Sequence, residues 1–275
     1  MPDRRERLNE PIEDATMKII ICVKVVPDTA SRLKVADDGK NVVENDLTWV
    51  ISPYDEIAIE EGLKLKEKFT GEVILVSVGP DRVVAGLRTG LAMGADSAHQ
   101  IKDPSFENLD AAGRATVLAA VIRHLGGADL ILCGHQGVGE DDSQTPGLLA
   151  GALDLPAVSM AIKLGVEGMA AVVEREVEGG IEVWDVTLPA VITTQKGLNT
   201  PRYAGLKGIM AAKKKPMGVI DASALGLGPD SLAPKTERRS MAPPPDRPPV
   251  KLIPGDPATQ AKELIRLLHE EAKVI

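Results

Sequence analysis

Aromatic side chains are scarce in this chain: two each of Phe, Trp and Tyr amount to 2% of 275 residues, against 44% hydrophobic residues overall. The core must then be built from Val, Ile, Leu, Ala and Met, a composition that suits buried parallel strands covered by helices. The same shortage excludes aromatic platforms for stacking nucleic-acid bases. Cationic excess is also missing. Lys and Arg number 32 against 40 Asp and Glu, a formal net charge of −8, so the clustered cations that bind nucleic acid or an anionic membrane are not available. The expected partners are proteins or small molecules.

Cysteine is limited to Cys22 and Cys133, with no CxxC or metal-ligand spacing, which reads as packed thiols. No apolar run reaches the roughly 18 residues a membrane span requires. The opening MPDRRERLNEPIEDAT is of mixed charge and lacks the apolar segment of a signal peptide, so a cytoplasmic protein is expected, with residues 1–16 as a disordered arm or an artefact of start-site choice. The Walker lysine motif, GxSxG, HExxH, the EF-hand loop and GxGxxG are absent, which argues against an autonomous hydrolase or kinase. His99, His124, His135 and His269 are scattered. No nucleophile, base and orienter can be assembled from them, and no metal site. Only His135, at a strand end, lies where a ligand could be.

What is present is an alternation. IIICVKVV (19–26) is an apolar run closed by Pro27, as a buried strand reads. In SPYDEIAIEEGLKLKEKF, Ser52 is the predicted N-cap and Pro53 the first helical residue, with Asp55 and Glu56 in the first turn. EVILVSVG (72–79) is a strand, and Pro80 opens a helix that stops at Gly94. SAHQI, a helix ending at Gly126, ADLILCG and the helix TPGLLAGALD follow. Strands and helices at this spacing predict right-handed crossovers and an α/β fold with a doubly wound, mostly parallel sheet, whose ligands bind at the carboxyl ends of the strands. After Pro156 the segments are β-rich and separated by Gly, predicting antiparallel hairpins. A loop into a short basic helix, a Pro-rich stretch from Ala222 to Pro257, and a last amphipathic helix complete the chain. Residues 17–221 thus read as one α/β domain and 222–275 as a linker plus a helix that must dock on this subunit or on a partner.

The stretch LCGHQGVGEDDSQTPGLLAG (132–151) leaves a strand, crosses a glycine-rich acidic loop and enters a helix. Ser143, Gln144 and Thr145 stand at the helix start, where side chains and free N–H groups can hold a phosphate. Glu140, Asp141 and Asp142 would repel one, so they are expected to face away or to meet ribose hydroxyls. An ordinary capped helix after an acidic surface loop is the competing reading.

VKVVPDT, ISPYDEIAIEEGLKLKE, SVGPDRVVAGLRTGLAMGAD, GHQGVGEDDSQTPGLLAG and NTPRYAGLKGIMAAKKKP occur in this order between residues 23 and 216. Together they closely resemble the β-subunit of electron-transfer flavoproteins, whose α/β heterodimers carry electrons from acyl-CoA and related dehydrogenases to quinone-linked or other acceptors. The resemblance implies an adenine-nucleotide α-hydrolase-like sheet domain, FAD held mainly by the α-subunit, and an AMP of structural role in β. It sets the adenine near Cys22, Ser52 and Val78 and the phosphate at Ser143, Gln144 and Thr145, with Gly137 and Glu140 lining the loop. It implies a flavin contact at Tyr54, where a core tyrosine reads equally well. It also implies a dehydrogenase-docking segment anchored by Leu206, with Tyr203, Ile209 and Met210 beside it. AAKKK reads as a solvated face or as steering for an acidic partner. Thr29 stands where single-FAD members commonly carry an aromatic against the flavin. ValProAspThr is similar to members that bind a second FAD in place of AMP, bifurcate electrons and oxidise NADH. SerGlnThr is nearer the AsnGlnThr of the AMP type. AMP is the preferred reading and a second FAD the alternative. A regulatory adenine-nucleotide module similar to universal stress proteins is a further one.

Overall fold

The protein is described by a computed structural model over residues 16–247 and 249–275. Nearly all of the anticipated N-terminal arm lies outside the described residues. Among the described residues the central sheet has nine strands, in the spatial order β11 (Met217–Ile220), β5 (Ser97–Ile101), β4 (Glu72–Val78), β1 (Lys18–Cys22), β6 (Leu130–Gly134), β10 (Ala190–Thr194), β7 (Ala157–Glu167), β8 (Ala170–Val177) and β9 (Gly180–Thr187). Its middle is β1 (Lys18–Cys22), flanked by β4 (Glu72–Val78) and β6 (Leu130–Gly134), both parallel to it. From β1 the chain first builds outward through β4 and β5 (Ser97–Ile101) and then crosses to β6, so the strand order reverses between β1 and β6. The carboxyl ends at such a reversal frame a crevice.

Alternation along β1 sorts the core. Ile19 and Ile21 point to one face, against α1 (Pro53–Phe69) and α2 (Val83–Met93); Ile20 and Cys22 point to the other, against α3 (Ala111–His124) and α4 (Thr145–Leu153). All three isoleucines are fully buried, as the period of two requires of a strand covered on both sides.

Three departures from the expected pattern have local causes. The run 19–26 is not one strand: the chain leaves the sheet after Cys22, and β2 (Val25–Pro27) pairs antiparallel with β3 (Trp49–Ile51) in a separate ribbon. The Asp55 carboxylate takes the Lys24 N–H that a longer β1 would have offered to the sheet. The β-rich region is not only hairpins. β7 (Ala157–Glu167), β8 (Ala170–Val177) and β9 (Gly180–Thr187) are antiparallel, but β10 (Ala190–Thr194) returns between β6 and β7, parallel to both. Last, Met217–Ile220 is a strand, β11, which extends the sheet beyond β5; four residues between a basic segment and a Pro-rich one carry too little pattern to announce it.

The short helix α5 (Leu206–Ala212) lies against α2, and the final helix is α7 (Pro257–Arg266), both as anticipated. Between them a one-turn helix, α6 (Pro229–Leu232), seats Leu232 in the core beside α3.

Candidate functional site

The start of α1 is clamped over the strand reversal. Asp55 is buried, and its two carboxylate oxygens accept the backbone N–H of Lys24 just past β1, at 2.7 Å, and of Gly134 at the end of β6, at 2.8 Å. Burial pushes this carboxyl up to about 7, although the two N–H donors and the Lys24 charge act to lower it. Thr194, ending β10, donates its hydroxyl to the Tyr54 carbonyl at 2.8 Å, and the His135 N–H reaches the Thr194 carbonyl at 3.0 Å. Three strand ends and one helix start thereby become a single rigid frame. Asp55 was legible in the sequence as a first-turn acid; that it bridges the ends of two strands, at residues 31 and 79 positions away along the chain, was not.

Several residues picked from the sequence converge on this frame. Ser52 is fully buried at the N-cap of α1, but its hydroxyl does not cap the helix; its contact is the Gln136 carbonyl at 3.5 Å, at the root of the 134–144 loop. Cys22 faces Cys133 in register across β1 and β6, both thiols buried; the partnership and burial push Cys133 well above the usual thiol range. Val78 ends β4 half-buried, and the preceding Ser77 carries a buried hydroxyl without a hydrogen-bond partner. Tyr54 is half-buried and meets His135 edge to face, with ring centroids 6.1 Å apart and planes at 88°. Burial holds the His135 imidazole below its ordinary range. Thr29 is exposed in the turn after β2.

The acidic loop differs from expectation at one residue. Glu140 does not face away: its carboxylate receives Lys24 Nζ at 2.8 Å, the Arg114 guanidinium at 2.8 and 3.2 Å, and Arg238 at 3.3 Å. Burial works to raise its carboxyl, and the pairings with Lys24 and Arg114 more than offset that, holding it down at about 2. Asp141 and Asp142 are exposed, and turn to Gln136 and to the Gln144 N–H. Gly137 lies so close to the Lys24 stem that a Cβ there would collide with it. The cations of this cluster come from β1's exit, from α3 and from the Pro-rich tail, three places that sequence motifs do not connect.

Ser143 and Gln144 are exposed ahead of α4, with Thr145 its first residue. Ser143 also borders a cleft of about 410 Å³ shared with His135, Ser159, Arg175, Trp184 and Thr193. The cleft opens between the α4 start and the β7–β9 hairpins, with His135, the ring that meets Tyr54, on its wall.

A second surface is presented by α5. Leu206 is its first residue and is 75% exposed; Tyr203 is 99% exposed, and Ile209 and Met210 are also exposed. Gly208 faces the other way, where a Cβ would strike the Ala92 carbonyl, so glycine lets α5 press onto α2. Arg88 and Lys215 fasten the contact by donating to the carbonyls of Ala212, Leu91 and Ala95. Lys215 is therefore a structural tie, while Lys213 and Lys214 face solvent. The approach to α5 is fixed by Arg202, whose guanidinium grips the buried Glu60 carboxylate on α1 at 2.8 and 3.0 Å and also reaches Glu67.

No helix among the described residues is long and apolar enough to cross a membrane. None of the described residues form a group of acids, histidines and cysteines that could hold a metal ion.

Residues 40–225 match the family model of the electron transfer flavoprotein domain. The chain is similar to the electron transfer flavoprotein subunit beta of Bacillus subtilis, 39% identical with 94% of this chain and 100% of the relative aligned. It is likewise similar to the same subunit of Sus scrofa, at 37% with 94% and 100% aligned, and of Homo sapiens, at 39% with 85% and 91% aligned.

Proposed function

The chain belongs to the electron transfer flavoprotein family as a β-subunit, and from that premise we propose that it works as the non-autonomous half of an α/β heterodimer. It braces an FAD carried mainly by the α-subunit and holds AMP in its own sheet. It offers α5 to acyl-CoA or related dehydrogenases, whose electrons pass on to a quinone-linked acceptor. The observation that carries the nucleotide part is the convergence of Cys22, Ser52, Val78 and the 137–145 loop on the carboxyl ends of β1, β4 and β6.

Two features fit an adenine nucleotide there. The unpartnered Ser77 hydroxyl, one residue before the end of β4, has hydrogen-bonding capacity to spare. The loop intended for phosphate has Lys24 and Arg114 against it, so its acids do not leave it electronegative throughout. The glycine at 137 keeps the Lys24 ammonium close to the loop backbone.

For the flavin, the residues of this chain that fit are His135, on the wall of the 410 Å³ cleft, and Tyr54, which meets it edge to face. The bound flavin would supply the one- and two-electron redox chemistry. The chain's own residues position and shield: the Asp55 and Thr194 frame holds Tyr54 and His135 in place, and the lowered proton affinity of His135 keeps it an uncharged wall at neutral pH. No acid or base of this chain has a chemical step to perform.

The docking reading rests on the exposure of Leu206 among Tyr203, Ile209 and Met210 on a helix whose back is locked to α2. A rigid apolar knob with lysines beside it suits a transient protein complex.

Thr29 favours neither alternative by its position: it is exposed and away from the Asp55 frame's hydrogen bonds. The test is to co-express the chain with its α partner, denature the purified complex and quantify released nucleotides. About one AMP and one FAD per heterodimer is the expected result. Two FAD without AMP would replace the carrier reading by the bifurcating, NADH-oxidising one, and absence of flavin would remove both.

A further inference from the structure

The Pro-rich tail does not leave the domain freely after α6. The backbone N–H groups of Lys235 and Thr236 donate to Asp110 at 2.6 and 3.0 Å, on the carboxylate whose other oxygen caps α3. Glu237 pairs with Lys40 at 3.1 Å. Arg238 spans the Lys40 carbonyl and Glu140, each at 3.3 Å, and the Met241 N–H reaches the Gly39 carbonyl at 2.7 Å. Residues 235–241 are thus tied to the loop after β2, to the start of α3 and to the loop after β6, which all belong to the carboxyl side of the sheet.

The charge at the centre of these ties is unbalanced. Three cations, Lys24, Arg114 and Arg238, share the one Glu140 carboxylate, and the other loop acids, Asp141 and Asp142, are turned to Gln136 and Gln144. Three positive charges against one leave an excess of two, which matches a phosphate dianion or a pyrophosphate. A carboxylate gripped by three cations in this manner is also how a protein keeps anion-binding side chains pre-aimed, since Glu140 can be outcompeted by a group of higher charge.

We propose that residues 235–241 are a strap over the nucleotide crevice and that Arg238 is an anion-binding residue supplied by it, completing with Lys24 and Arg114 a three-cation site for the phosphate or pyrophosphate of the adenine nucleotide. This rests on the nucleotide reading above and adds to it a residue from outside the nucleotide-binding sheet. Arg238 trades its Glu140 contact for the ligand's phosphate, and the strap closes on the bound nucleotide. The retention of the nucleotide is then coupled to the seating of the tail.

The experiment uses the full-length chain in complex with its α partner. The release rate of bound nucleotide, AMP and FAD followed separately, is compared for wild type, Arg238→Gln, Arg238→Lys and the neighbouring Arg239→Gln. Adenosine, which lacks the phosphate, is titrated in parallel into stripped complexes. Loss of one charge-assisted contact predicts release about tenfold faster for Arg238→Gln, less for Arg238→Lys, and unchanged for Arg239→Gln. Adenosine affinity should be the same in all four proteins. Saturating nucleotide should also slow tryptic cleavage after Arg238 and Arg239. If wild type retains AMP or FAD in β and Arg238→Gln retains it equally, the strap role is wrong while the nucleotide reading stands. If Arg238→Gln weakens adenosine as much as AMP, Arg238 acts on the fold rather than on the anion, and the proposal fails. A wild-type complex without nucleotide in β overturns both readings. The identity of the retained species tells phosphate from pyrophosphate.

Discussion

The Asp55 carboxylate, in the first turn of α1, accepts the backbone N–H of Gly134, the last residue of β6, at 2.8 Å, while its other oxygen takes the N–H of Lys24. One acid thereby ties the helix start to both strands at which the sheet reverses. A buried carboxylate with two N–H donors is demanding, because any replacement leaves at least one donor unpaired.

Asp55→Asn should destabilise the protein by about 1–3 kcal/mol, since the amide can accept one N–H but turns its own donors on the other. The pH dependence has a definite sign. The folded carboxyl, at about 7, lies above its ordinary 3.8, so the folded state holds the proton more tightly and stability falls as pH rises between those values. The loss amounts to roughly 4 kcal/mol across that window and is complete above it. The difference between wild-type and Asp55→Asn unfolding midpoints in urea, followed from pH 4 to 8, should shrink as pH rises; a difference independent of pH would show that Asp55 is ionised throughout.

Glu140 titrates the other way. Its carboxyl is held at about 2, below the ordinary 4.5, so its pairings stabilise the folded state above that ordinary value and are lost as pH falls through about 2. Glu140→Gln should cost about 1–2 kcal/mol at neutral pH, a figure reduced because the side chain is 29% exposed. The cost should shrink as salt is raised, which a titration of the midpoint against ionic strength would reveal.

Gly137→Val places a branched side chain where the Lys24 stem runs. Lys24 must then leave the loop, and the Lys24–Glu140 pair opens. The measurable outcome is loss of nucleotide from the purified complex with the fold retained, by circular dichroism and by chromatography of the released nucleotide. Full nucleotide content in this variant would remove Lys24 from the phosphate neighbourhood.

Arg202→Met leaves Glu60, 6% exposed, without its bidentate partner. Glu60 keeps only the backbone N–H of residue 202, at 3.1 Å, and because the guanidinium is 34% exposed the loss costs about 1–3 kcal/mol. The stretch before α5 should loosen, and hydrogen exchange there should rise before exchange in β1 or β6 does. Protection unchanged at residues 199–206 would mean that the packing of Gly208 on α2 suffices by itself.

Leu206→Glu changes only an exposed apolar side chain, so stability and flavin content should be unaltered. Electron acceptance from a partner dehydrogenase should fall by tenfold or more in kcat/KM, as for loss of a hot-spot anchor. Equal rates for wild type and variant, with a competent dehydrogenase, would refute α5 as the docking surface.

Local pattern determined a great deal here. The apolar runs at 19–26, 72–79 and 128–134 read as buried strands, the first carried too far because its last residues form β2, and Ser52-Pro53, Gly94 and Asp256-Pro257 mark helix ends, because capping and backbone restriction act over a few neighbouring residues. The glycine-rich loop at 134–144 was visible for the same reason, because motif and composition are local, whereas Leu206 was singled out only by the family resemblance and its exposure is a finding of the structure. What tertiary structure alone decided is which distant groups meet. Val25–Pro27 leaves the sheet because Asp55 intercepts the Lys24 N–H; β10 is inserted parallel between β6 and β7; and Glu140 turns inward because Lys24, Arg114 and Arg238, brought from three remote segments, surround it. Charge pairing and strand order depend on separation in space, and a periodicity read along the chain contains the faces of each element but not the neighbours that those faces will find.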